Sequence, residues 1–138
     1  MPKKKPLDRN DPASKLGRLK RRKGQSFERE KARALRCVYP HAVRGLGQAR
    51  AKGEVSDIEK TPWWMELKHH KVVNIRAAME QALSDTAKHG QGRRPVVISR
   101  NTGRTPDLVT MTFDDWLALV GEVESWRREE ARRILDEP

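Results

Sequence analysis

Cysteine is almost missing from this 138-residue chain, with Cys37 the only one. That excludes an internal disulfide framework and any zinc cage built on thiolates. Aromatic residues make up only 5%, so a core has to be built mainly from aliphatic side chains. No run of 18 apolar residues occurs, which rules out a hydrophobic membrane-spanning helix. The N-terminus is basic with no apolar segment behind it, so it does not read as a secretory signal. A reducing, cytoplasmic setting is expected. Acid is in short supply too: 19 Asp and Glu face 30 Lys and Arg, a formal net charge of +11. The length fits one compact domain with a modest core.

The positive charge is not evenly spread. Residues 1–23 carry ten Lys or Arg, among them Lys20, Arg21, Arg22 and Lys23, against Asp8 and Asp11. This stretch has Pro2, Pro6, Pro12 and Gly17 and almost no large apolar residue, so it reads as a flexible basic arm. Such an arm suits a polyanion, and phosphate backbones are the common one. Residues 114–138 reverse the balance, with eight acidic residues against four basic.

Beyond the arm, periodicity predicts a helix over 24–38, its apolar stripe made of Phe27, Ala34, Leu35 and Val38. Ser26 is its candidate N-cap and Pro40 its stop. Three short strands follow at 41–45, 55–60 and 63–69. An amphipathic helix over 74–89 carries Ile75, Ala78, Met79, Ala82 and Leu83 on one face and ends at Gly90. Val96-Val97-Ile98 marks a buried strand over 95–100, and 108–112 is another. Thr112 with Asp115 caps a last helix with Trp116, Leu119, Val120, Val123 and Trp126 on one face. The expected fold is α/β, a small mixed sheet of about five strands flanked by helices in the order αβββαββα. The expected division is an arm over 1–23, a domain over 24–121 and a helical extension over 122–138.

The chemistry lies in the middle strands. In Trp63-Trp64-Met65-Glu66-Leu67-Lys68, alternation puts Met65 and Leu67 on one face and Glu66 and Lys68 on the other. If the strand of Asp57 is its antiparallel neighbour, Asp57 reaches the position of Glu66. Two carboxylates converging in a half-buried place repel unless a hard cation such as Mg²⁺ neutralises them. A lysine beside them can hold, or help deprotonate, an attacking water. The set suits hydrolysis of a phosphodiester.

Asp57-Ile58 followed by Glu66-Leu67-Lys68 resembles the paired motif of the PD-(D/E)xK nuclease superfamily, with Ser56 where that family usually has proline. Gly24-Gln25-Ser26-Phe27-Glu28-Arg29-Glu30 resembles the G-x-x-x-E-R-E opening of archaeal and phage-type Holliday junction resolvases. The resemblance spans roughly residues 23–120 and implies a restriction-endonuclease-like core. It implies metal ligation by Glu28, Asp57, Glu66 and the backbone carbonyl of Leu67, with Lys68 as catalytic lysine. The implied ion is Mg²⁺, with Mn²⁺ able to substitute, and no small-molecule cofactor is expected. Arg44 falls where these resolvases carry a first-strand arginine, and Gln81 matches a glutamine on the helix after the motif. Gln48, Arg50 and Lys52 in the following loop, Arg100, and Lys20, Arg21, Arg22 and Lys23 complete the expected DNA contacts. The family's loop is rich in serine and glycine, whereas the loop over 45–53 has no serine.

The implied partner is DNA, four-way or otherwise branched, and cutting two strands symmetrically requires a homodimer. A membrane partner is not expected. Helical position alone does not choose between Glu28 and Glu30 as first-helix ligand, whereas the resemblance matches Glu28. Arg93, Arg94 and Arg100 are either DNA-facing or a solvated face. His41, His69 and His70 have no spacing suited to zinc, and most of the tryptophans are expected in the core. The competing readings are a basic nucleic-acid-binding protein in which the Glu-x-Lys pair has no catalytic role, and a nuclease of the same fold acting on other DNA structures.

Overall fold

A computed structural model describes residues 11–46 and 55–137. The elements run α1 (Pro12–Leu35), β1 (Val43–Arg44), β2 (Ile58–Glu59), β3 (Trp63–His70), α2 (Ile75–His89), β4 (Arg94–Asn101), β5 (Leu108–Thr110) and α3 (Phe113–Asp136). The five strands form one mixed sheet in the order β1-β2-β3-β4-β5. The chain is therefore α/β, with a small mixed sheet and three helices in the expected order. β1, β2 and β3 form an antiparallel meander, and β3 and β4 run parallel over eight residue pairs with α2 as the crossover. β5 closes the far edge antiparallel to β4.

Two apolar clusters lie on opposite faces of the sheet. Phe27 and Ala32 of α1 pack with Ile58, Met65, Leu67, Val96 and Ile98, the residues on one face of β2, β3 and β4. Ala78, Met79 and Ala82 of α2 cover Val97, which points the other way. Burial on both faces explains the continuous apolar run in β4. α2 is capped by Asn74, whose side chain accepts from the Ala77 N–H at 3.0 Å.

Residues 12–23 depart from the expected flexible arm: they are the first half of α1. Asp11 is the N-cap, its carboxylate accepting from the Ser14 N–H at 3.2 Å, and Pro12 occupies the first helical turn. That is where a fixed φ and a missing N–H cost nothing. Lys, Arg, Leu and Ala are good helix formers, and Gly17 and Gly24 are carried in the helix interior. Ser26 is consequently a mid-helix residue and not a cap. The helix also stops earlier than expected, at Leu35, whose carbonyl accepts from the N–H groups of Val38 and Tyr39. Val38 is exposed and contributes nothing to the core.

The tryptophans divide in a way their number did not foretell. Trp64 is fully buried, and Trp63 is half-buried with its indole N–H donating to the Tyr39 hydroxyl at 2.8 Å. Trp116 and Trp126 are exposed, and no residue of α3 is buried. α3 runs unbroken through position 122, where the sequence had suggested that an extension begins. Among the described residues no helix is long and apolar enough to cross a membrane.

Candidate active site

The β2–β3 pairing builds the centre of the site. Ile58 lies opposite Met65, and continuing that antiparallel register by one residue sets Asp57 across from Glu66. The Asp57 N–H donates to the Met65 carbonyl at 2.9 Å, and the Leu67 N–H donates to the Asp57 carboxylate at 2.7 Å. Ile58, Met65 and Leu67 pack against the α1 cluster, and Asp57, Glu66 and Lys68 alternate with them along the two paired segments. Lys68 reaches back to Glu66, Nζ to Oε1 at 2.6 Å, and also donates to the Gln81 side-chain oxygen on α2 at 3.1 Å. Glu28 on α1 accepts from the Arg44 guanidinium of β1.

Ser56 holds this corner together, a role that periodicity and motif did not assign. Its side chain is fully buried, with Oγ 2.6 Å from the Ile58 carbonyl and accepting from the Met65 N–H at 3.0 Å. The hydroxyl thereby ties together the two strands that carry Asp57 and Glu66. Gly45 presses against the same segment: its N–H donates to the Asp57 carbonyl at 2.8 Å, and it stands where no side chain fits. The signal for Ser56 was its place directly before the motif aspartate, where a small polar residue has no packing reason to be.

Glu28, Asp57, Glu66, Leu67 and Lys68 line a single cleft of about 620 Å³. Its other wall is the N-terminal half of α1, through Leu16, Leu19, Lys20 and Lys23, and its far rim is His69, His70 and Lys71. The floor is acidic and the rim is basic. Positions 16, 20 and 23 fall on one helical face, a periodicity that the basic composition of the segment masks.

Electrostatics single out Asp57. Burial and the neighbouring Glu66 carboxylate push its carboxyl up to about 7, with Glu28 adding to the rise, while the Leu67 N–H and the Lys68 ammonium oppose it. A buried carboxylate facing another is relieved by a cation. The donors available are hard oxygens, the carboxylates together with the Leu67 carbonyl, and these suit Mg²⁺ or Mn²⁺ rather than a soft metal. Among the described residues, no three His, Cys, Asp or Glu side chains are grouped closely enough to hold an ion as they stand. Two of the carboxylates instead carry internal cations, Arg44 on Glu28 and Lys68 on Glu66.

The other expected site residues are distributed as follows. Glu30 is turned away from the cleft into an ionic cluster, where Arg100 grips it at 2.6 and 2.9 Å. Arg100 also holds Asp107 through two bonds at 2.7 Å, and Lys31 joins both carboxylates. The bonds from Arg100 draw the Glu30 and Asp107 carboxyls below their usual range. The guanidinium lies over the Phe27 ring, so Arg100 braces α1 against the sheet. Arg21 and Arg22 are exposed on α1, and the Lys23 ammonium donates to Thr102. Arg93 pairs with Glu59 at 3.0 Å and Arg94 with Glu122 at 2.6 Å. Gln48, Arg50 and Lys52 lie outside the described residues. No family model, curated protein or solved structure matches this chain. The resemblance to the nucleases therefore rests on the motif residues of the sequence.

Proposed function

We propose that the chain is a metal-dependent DNA endonuclease that hydrolyses phosphodiester bonds in branched DNA, of the kind done by Holliday junction resolvases, and that it works as a homodimer. The observation that carries this reading is the meeting of Glu28, Asp57, Glu66 and Lys68 in one cleft with a basic rim. A protein that only bound DNA gains nothing from carboxylates facing a phosphate, which they repel.

In this reading Asp57, Glu66 and the Leu67 carbonyl would hold Mg²⁺, and Glu28 would join them if its carboxylate were released from Arg44. The ion, when bound, supplies positive charge against the scissile phosphate and favours ionisation of water. Lys68, hinged between Glu66 and Gln81, would orient the attacking water through its N–H groups, and would accept the water's proton only as the neutral amine, after giving up the proton it carries in its pair with Glu66. Lys20, Lys23 and Lys71 on the rim receive the flanking phosphates.

A second reading has one observation behind it. Arg44 and Lys68 already neutralise Glu28 and Glu66, as in a site that needs no metal. That protein would bind nucleic acid without cutting it. Incubation with a four-way junction, a linear duplex and a single strand, each with Mg²⁺ or with EDTA, separates the two. The nuclease cuts with Mg²⁺, prefers the junction and is silenced by EDTA. Absence of cutting with both Mg²⁺ and Mn²⁺ leaves the binding protein.

A further inference from the structure

α3 is a 24-residue helix with no buried residue. Its ties to the sheet include the ion pairs of Arg94 with Glu122 and Asp115, at 2.6 and 4.0 Å. The apolar side of the helix is open to solvent: Phe113, Trp116, Leu117, Val123, Ile134 and Leu135 are all exposed. A helix in water with an apolar face and only half-buried residues against the rest of the fold is marginal, so its stability calls for a covering surface.

The spacing of residues on that face is regular. Leu117, Val120, Glu124, Arg127, Ala131 and Ile134 follow one another at intervals of three, four, three, four and three. This is the spacing of a coiled-coil seam, apolar at both ends and charged in the middle. Glu124 and Arg127 already pair along the helix at 2.9 Å. In a parallel pair of these helices, Glu124 would meet Glu124 and Arg127 would meet Arg127. In an antiparallel pair turned about the point between Ser125 and Trp126, each Glu124 meets the Arg127 of the other helix. The same rotation sets Leu117 against Ile134 and Val120 against Ala131. The seam is thus complementary to itself in one orientation, as a two-fold interface requires.

We infer that the exposed face of α3 is the docking surface for a second copy of this chain, the two α3 helices lying antiparallel with Glu124–Arg127 pairs at the two-fold axis. DNA is a poor occupant, since α3 carries seven acidic residues against four arginines. The inference does not depend on the nuclease reading, and for a nuclease it names the surface through which two clefts share one substrate.

Mass in solution, by sedimentation equilibrium across a concentration series, tests it. The full chain is expected at twice 15.9 kDa. Glu124→Arg alone puts four positive charges at the axis and Arg127→Glu alone puts four negative ones there, so each variant is expected at the monomer mass. Mixing the two variants in equal amounts is expected to restore the doubled mass, because each then supplies what the other lacks. A charge pair confined to one helix cannot produce that recovery. Circular dichroism of each variant shows whether the fold is kept, Arg127 being exposed and Glu124 half-buried. A parent that stays monomeric, single variants that remain dimers, or folded variants that fail to associate on mixing would each overturn the proposal. So would association of α3 only with some other protein.

Discussion

Asp57 carries the most consequential charge in the molecule, because burial and Glu66 hold its carboxyl near 7 against an ordinary 3.8. Between those values the native carboxyl keeps its proton while the unfolded chain has lost it. Stability therefore falls as pH rises from 3.8 to about 7 and stays low above that. At about 1.4 kcal/mol per pKa unit, the loss is on the order of 4 kcal/mol. Asp57→Asn keeps an acceptor for the Leu67 N–H and removes the charge. Its melting temperature should exceed the parent's above neutral pH, and the gap should close toward pH 4. Mg²⁺ should raise the parent's melting temperature in the alkaline range and leave the variant's alone, since only the parent offers the full donor set. Thermal melts over a pH series, with and without Mg²⁺, read out both effects, and an unchanged gap across pH would contradict the burial argument.

Lys68 poses a different question at the same scale. As an ion-pair partner of Glu66 it would be replaced adequately by arginine, which keeps the charge and the donors. As the group that takes a proton from water it would not, because a guanidinium stays protonated. Lys68→Arg should fold and bind junction DNA like the parent, yet cleave at least about 100-fold more slowly. Near-parental single-turnover cleavage by this variant would reduce Lys68 to an electrostatic neighbour.

Among the elements, the short β1–β2–β3 meander matters out of proportion to its length. β1 and β2 are two residues each, yet they carry Arg44 and Glu59 and fix Asp57, the residue directly before β2. Gly45 permits this packing, because a Cβ there would lie 2.1 Å from the Ser56 carbonyl oxygen. The obstacle is backbone, so it cannot swing aside. Gly45→Ala should push the β1 end off β2, costing about 1–3 kcal/mol of stability. It should also shift Asp57, whose carbonyl accepts from the Gly45 N–H. Urea unfolding with a cleavage assay on the folded fraction checks both effects. A variant as stable and as active as the parent would show that the close approach is dispensable.

For the whole molecule, charge is sorted between two ends. The first half of α1 and the cleft rim are basic, while α3 is the acidic element of a chain whose net charge is +11. In the proposed arrangement the basic wall faces DNA and the acidic helix stays clear of it. Replacing Lys20, Arg21 and Arg22 by glutamine should weaken DNA binding at every sequence and flatten its salt dependence. The slope of log affinity against log salt should drop by about 0.9 for each phosphate that α1 no longer neutralises. A slope equal to the parent's would mean that this face of α1 does not touch the backbone.

The strands, α2 and the pairing of Asp57 with Glu66 were legible in the sequence, because each is written in local periodicity. Alternation in Met65-Glu66-Leu67-Lys68 separates a core face from a polar one whatever surrounds it, and Val96-Val97-Ile98 can satisfy itself only by burial on both sides. Three things were decided by tertiary structure alone. Glu28 and Glu30 flank the same apolar stripe about equally, and only the position of Arg100 and Asp107 draws Glu30 out of the cleft. Residues 12–23 look like a solvated tail by composition, yet an Asp-Pro start and good helix formers extend α1 into a wall over the carboxylates. Trp64, Trp116 and Trp126 are chemically alike. Whether each is buried depends on which helix has a sheet beneath it, which is a property of long-range packing and not of neighbouring residues.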